Sequence, residues 1–223
     1  MRTIRVTGKG IIRVKPDMTR LTITLEGLNK EYGKTLEQST KDTNSLKDLL
    51  EKFGFARDDL KTLNFNVNEE FESYKEKQNG RETYKNRLVG YRFRHLLKVE
   101  FESDNDRLGK ILYALANSDL EPEFRISYTI KDPEAAKNEL LGNAVKDAKA
   151  KALVLTTASE VTLKDIQSID YSWGEIDFEV RPMRDMVCEN KVLLSGAGES
   201  FDIDIEPDDI EVTDTVTVVW EIA

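Results

Sequence analysis

Apolar and polar residues alternate almost from the first position of the chain. Over residues 3–14, Ile4, Val6, Ile12 and Val14 share one face, and Gly8 and Gly10 fall in the same phase. Over residues 19–27, Leu21, Ile23 and Leu25 alternate with Thr22 and Thr24. A period of two with one apolar face is the pattern of a half-buried strand. Lys15-Pro16-Asp17 between the two runs reads as a turn, so the opening predicts a β-hairpin. The two glycines stand where core side chains belong, which leaves room for another element to approach the strand closely.

The period then lengthens. Tyr32, Leu36, Leu46, Leu49, Leu50 and Phe53 lie on one stripe of a helix over residues 31–53, and Gly54 is placed to end it. Alternation returns over 62–74 and 84–101, with the hairpin-turn pair Asn79-Gly80 between them. In the second run Tyr91, Phe93, His95, Leu97, Val99 and Phe101 share a face opposite Arg92, Arg94, Lys98 and Glu100, as in an antiparallel sheet covered on one side. Ser103-Asp104-Asn105-Asp106 resembles a capping box and opens a helix carrying Leu108, Ile111, Leu112, Leu115 and Ala116. A strand through Phe124, Ile126, Tyr128 and Ile130 leads to Asp132-Pro133, an N-cap and first-turn proline for a helix over 133–159. Its stripe is Ala136, Leu140, Leu141, Ala144, Ala148, Ala152 and Leu155, with small residues dominating the second half. Ile166, Ile169 and Tyr171 mark another strand, residues 173–200 have little period, and 213–222 close the chain as an alternating strand. The order is ββα-ββα-βα-ββ. It predicts an α+β fold of antiparallel sheet packed by three helices, one domain over residues 1–223 with room for two lobes.

Composition narrows the classes of function. A net charge of −9 and a pI near 4.9 oppose binding to nucleic-acid phosphates or to an anionic membrane surface. No run approaches the roughly 20 apolar residues that span a bilayer, so membrane insertion is not expected. Residues 1–6 enter the strand pattern at once and leave no room for a signal peptide. The expected compartment is the cytoplasm, or the periplasm or exterior if a leader has been removed. Cys188 is the only cysteine, which excludes an intrachain disulfide and a thiolate zinc site.

The chain resembles the SIMPL-domain family, which includes bacterial periplasmic immunogenic proteins and proteins linked to oxidative-stress defence. The residues that carry the resemblance are Val6-Thr7-Gly8-Lys9-Gly10, Pro16-Asp17, Leu63 in a Thr62-led strand and Gly90-Tyr91. To these are added the Ala144, Ala148, Ala152 helix and the ending from Ile205-Glu206-Pro207 to Val212. Two departures are Ser159-Glu160, where the family places a glycine, and the lack of a secretion signal. The resemblance implies an α+β fold and homo-oligomers. It implies no established catalytic centre.

Candidate chemistry is sparse, and no catalytic, cofactor or metal residue is assigned. Gly8-x-Gly10 lacks the third glycine and the following helix of a dinucleotide loop, since Ile11 to Val14 continue a strand; both are read as structural. The alanine stripe is expected to pack over Gly8 and Gly10, with an intersubunit seam as the other reading. His95, the only histidine, shares its phase with core residues. Cys188 is read as unreactive, with redox sensing as the alternative. The acidic run Asp202, Asp204, Glu206, Asp208, Asp209 and Glu211 alternates with Phe201, Ile203 and Ile205, as a strand with an acidic outer face does; hard-cation binding is the alternative. Residues 69–87 mix both charge signs around Phe71, Tyr74 and Tyr84 and form either a solvated projection or an arm that clasps a neighbouring subunit. The expected function is a non-enzymatic, self-assembling protein that contributes to stress tolerance. The alternative is a small-molecule binding protein or enzyme with a pocket near residues 173–200, its ligand unknown.

Overall fold

A computed structural model describes residues 2–78, 81–171, 176, 178–181 and 205–223. The elements are β1 (Arg2–Val14), β2 (Met18–Asn29), α1 (Tyr32–Glu51), β3 (Lys61–Gln78), β4 (Arg81–Glu102) and α2 (Asn105–Ala116), then β5 (Glu123–Thr129), α3 (Pro133–Ala158), β6 (Leu163–Tyr171) and β7 (Ile210–Ile222). The α+β order read from the sequence stands. Two compact units divide the chain: one of Met1–Met18, Tyr128–Arg181 and Pro207–Ala223, the other of Thr19–Ser127 and Pro182–Glu206.

The expected hairpin of β1 and β2 does not form. β1 is the edge of a three-stranded sheet ordered β1-β7-β6, and β2 lies inside a four-stranded sheet ordered β3-β4-β2-β5. Alternation specifies which face of a strand is buried and says nothing of its neighbour. The turn residues are engaged elsewhere: the Asp17 N–H donates to the Thr129 carbonyl at 3.2 Å, and its carboxylate accepts from the Lys131 N–H at 2.8 Å.

In the first unit, α3 covers the face of the sheet that carries Val6, Val216, Val218 and Trp220. Its buried residues are Ala136, Leu140, Ala144, Ala148, Ala152 and Thr156, a strict four-residue step. Leu155, expected in that stripe, is 49% exposed instead, and Thr156 takes its place by turning its hydroxyl onto the Ala152 carbonyl at 2.9 Å. The expected docking of the alanines on the two glycines is borne out. A Cβ at Gly8 would overlap the Ala144 carbonyl oxygen and the Ala148 nitrogen, and one at Gly10 would overlap the Leu140 carbonyl oxygen. Asp132 caps the helix as expected, accepting from the Ala135 N–H at 2.9 Å.

The same helix bonds three outward groups in the middle of the β1 edge. The Lys9 N–H donates to Asp147 Oδ2 at 2.7 Å, Lys151 Nζ donates to the Thr7 carbonyl at 3.5 Å, and Asn143 Nδ2 donates to the Ile11 carbonyl at 3.5 Å. The Lys151 ammonium and then the Lys9 N–H hold the Asp147 carboxyl below its ordinary pKa. Satisfying the outward groups of an edge strand removes a template for pairing with another chain. The double substitution Asp147→Ala, Lys151→Ala is therefore expected to leave the helix content intact and to bring on concentration-dependent aggregation at lower temperature. Light scattering during a thermal ramp checks this, and scatter identical to the parent's would contradict it.

In the second unit, Leu21, Ile23 and Leu25 of β2 and Phe93, Leu97 and Val99 of β4 form one core with Leu46 and Leu50 of α1 and Leu108, Ile111, Leu112 and Leu115 of α2. The α1 stripe is more polar than expected, with Thr35 and Ser39 buried and Tyr32 52% exposed. Gly54 follows this helix in the left-handed region, φ 81°, as its position suggested. The N-cap of α2 is Asp104 rather than Ser103: its carboxylate accepts from the Arg107 N–H at 3.0 Å, which places Arg107 at N3. Arg107 then lies over the rings of Phe55 and Phe101, 4.1 and 5.2 Å from their centroids, and donates to the Phe53 carbonyl at 2.8 Å.

Candidate assembly surface

Two strands of the four-stranded sheet outrun their neighbours. β2 runs antiparallel to β4, as the ion pairs Arg20–Glu100 and Arg94–Glu26 require, and it ends at Asn29 against Gly90. A Cβ at Gly90 would overlap the Asn29 carbonyl oxygen, so a glycine is needed where the third strand stops. Beyond that point β3 and β4 continue as a two-stranded ribbon paired from Phe71↔Leu88 to Gln78↔Arg81. From Phe71 to Gln78 the ribbon extends roughly 25 Å, at about 3.3 Å per residue.

A bulge at the base of this arm sets which side chains face which way. The register shifts between Glu70↔Gly90 and Phe71↔Leu88, so Val89 is the extra residue of β4. On one face stand Phe71, Leu88 and Tyr84, with exposures of 55, 47 and 68%; between them Ser73 donates to Asn86 Oδ1 at 2.6 Å, and Lys75 lies over the Tyr84 ring at 5.4 Å. This face continues the side of β3 that carries Phe65 and Val67, and reaches the edge-to-face pair Tyr32–Tyr91, whose centroids are 5.5 Å apart. The opposite face carries the ion pairs Arg92–Glu70 at 3.2 Å, Arg87–Glu72 at 2.7 Å and Lys85–Glu76, with Tyr74 among them under the Arg87 guanidinium at 5.7 Å. Hydrogen bonding to the facing glutamate holds the Lys85 and Arg87 cations charged above their ordinary pKa values.

His95, the sequence's single imidazole, is held structurally. Thr43 donates its hydroxyl to the Ser39 carbonyl at 2.8 Å, so it accepts from His95 Nδ1–H at 3.1 Å. Nε2 is then the acceptor, and it takes the Thr62 hydroxyl at 2.9 Å, with Phe65 edge-on at 5.0 Å. Burial first and the Lys47 charge second lower the His95 pKa from 6.5. The unfolded chain therefore binds a proton before the folded protein does. Stability is full above pH 6.5 and falls as the pH drops below it, until the folded imidazole is protonated too. His95→Gln is expected to flatten that part of the profile, as measured by denaturant midpoints across pH; a slope unchanged by the substitution would contradict it.

The remaining candidates separate. Cys188, most of residues 173–200 and the acidic positions Asp202 and Asp204 lie outside the described residues. Glu211 pairs with Arg13 at 2.7 Å, and among the described residues no group of three or more His, Cys, Asp or Glu side chains could hold a metal. No described helix is long and apolar enough to cross a membrane. The amphipathic arm was half-legible: the sequence shows its alternation, and the segregation of its faces depends on the bulge at Val89. A family model described as "SIMPL: Protein of unknown function (DUF541)" matches residues 4–220. No curated protein matches the chain.

Proposed function

The chain belongs to the SIMPL family, and we propose that it works by self-assembly through the β3–β4 arm rather than by catalysis. The observation that carries this reading is a two-stranded ribbon, with three exposed apolar side chains on one face, standing beyond the sheet that supports it. Isolated two-stranded ribbons are marginal in water and need a third strand or a packed face. Phe71, Leu88 and Tyr84 provide apolar side chains to be covered.

Charge favours a second copy as the cover. A protein of net charge −9 repels its own kind over most of its surface. Between positions 69 and 88, however, five glutamates are matched by five lysines and arginines. The arm is a neutral, ion-paired stretch through which two acidic chains can approach. The occupation of both His95 nitrogens by threonine hydroxyls supports a non-catalytic role for the single imidazole. Resemblance to oxidative-stress-defence proteins supports stress tolerance as the physiological setting.

Hydrogen–deuterium exchange at high and at low protein concentration tests the reading. Amides of the arm strands are expected to gain protection as concentration rises, while those of α2 stay constant. Arm exchange independent of concentration would contradict it.

A further inference from the structure

The helix α3 is too narrow for the sheet it covers, and the strand it leaves open has an apolar face. A helix is about 10 Å across and strands lie about 4.8 Å apart, so one helix covers about two strands. α3 packs on β1 and β7 and scarcely reaches β6. Ile166, Ile169 and Tyr171 of β6 stand opposite Trp220, Val218 and Val216, and therefore on the face that α3 shares. The register shifts around Ile166 keep all three in phase. On the helix, Asn143, Asp147 and Lys151 reach over the β1 edge. Residues two positions further on lie about 200° round the helix, so Val145, Lys149 and Leu153 flank the side towards β6. Leu153, Ile166, Ile169 and Tyr171 are each 41–50% exposed. They line a slot with α3 as its wall and β6 as its floor.

We infer that this slot takes the apolar side of the β3–β4 arm of a second copy; the inference rests on the self-assembly proposed above and names the surface that the arm meets. The two surfaces match in extent. From the Trp220 rung to the Val216 rung the floor of the slot runs four residues, about 13 Å. The arm runs the same four residues from Phe71 with Leu88 to Lys75 with Tyr84. Sheets pack face to face about 10 Å apart, the thickness of a helix, so the ribbon fits beside α3 in one layer. Charge disfavours slot against slot. The unit that holds the slot has 12 lysines and arginines against 16 acids, so two such units repel. The arm is neutral over positions 69–88 and approaches without that cost. Arm against arm would leave the slot bare, whereas arm in slot covers both half-exposed apolar surfaces at once.

Sedimentation equilibrium of slot and arm variants, alone and mixed, tests this. Ile169→Asp places an unpaired carboxylate in the slot and is expected to raise the Kd of association about a hundredfold. Leu153→Lys, an exposed change on the helix wall, is expected to weaken association without touching β6. The deciding sample is an equimolar mixture of Ile169→Asp with the double variant Phe71→Glu, Leu88→Glu. One chain supplies an intact arm and the other an intact slot. The mixture is expected to form a species of twice the 25.5 kDa chain, at concentrations where each variant alone is a monomer. A mixture that stays monomeric overturns the inference. So does association of either slot variant at the parent's strength, which would mean that the arm meets another surface and would leave self-assembly standing. A parent of 25.5 kDa at every concentration overturns both.

Discussion

Gly8→Leu lowers the melting temperature by roughly 10 °C, on the expectation that overpacking of this kind costs about 3 kcal/mol. The first carbon of any side chain at Gly8 meets backbone, the Ala144 carbonyl oxygen and the Ala148 nitrogen, with the Ala148 Cβ at 2.7 Å. Flexible side chains can turn away from an intruder, whereas helix backbone moves only as a unit. Lifting α3 from the sheet would uncover Val6, Val216, Val218 and Trp220 together and break the Lys9–Asp147 bond. Gly142→Ala is the matched control. It lies in the same helix with nothing within 4 Å of an added Cβ, and should stabilise by about 0.5–1 kcal/mol through helix propensity. Differential scanning calorimetry of both variants separates the two effects. Equal melting temperatures for Gly8→Leu and the parent would mean that α3 does not lie on β1 as described.

If the chain assembles through the arm as proposed, the double substitution Phe71→Glu, Leu88→Glu is expected to abolish association without unfolding the chain. Both side chains are about half exposed and lie outside the core of the second unit, so stability should change little. In an assembly that covers the arm, each new carboxylate would be buried without a partner, at a cost on the order of 3 kcal/mol, which is about a hundredfold or more in Kd. A charge change on the ion-paired face, such as Glu72→Gln, removes one exposed ion pair and is expected to have little effect on association. Sedimentation equilibrium of the three proteins gives the comparison. Association that tolerates the two glutamates would move the interface away from the arm.

How far these features were legible in the sequence depends on what each rests on. The seating of Ala144 and Ala148 on Gly8 and Gly10 could be read because both partners are defined by side-chain size, a property of single residues. The partner of β1 could not, because alternation of Ile4, Val6 and Ile12 fits a β7 neighbour as well as a β2 neighbour. Asp17, read as part of the turn, is bonded instead to Thr129 and Lys131, residues far along the chain. Thr35 was missed in the α1 stripe because its hydroxyl is satisfied by the Glu31 and Tyr91 carbonyls, which lets a polar residue lie in the core. Apolarity alone puts Leu155 inside, and the four-residue step of α3 puts Thr156 there instead. In the arm, charge and alternation were visible, while the segregation of faces required the register shift at Val89.

The solution mass of the unmodified protein, measured by light scattering after size exclusion over a dilution series, tests the central claim most directly. Self-assembly through the arm predicts a mass that is a multiple of the 25.5 kDa chain. A mass of 25.5 kDa at every concentration would contradict it.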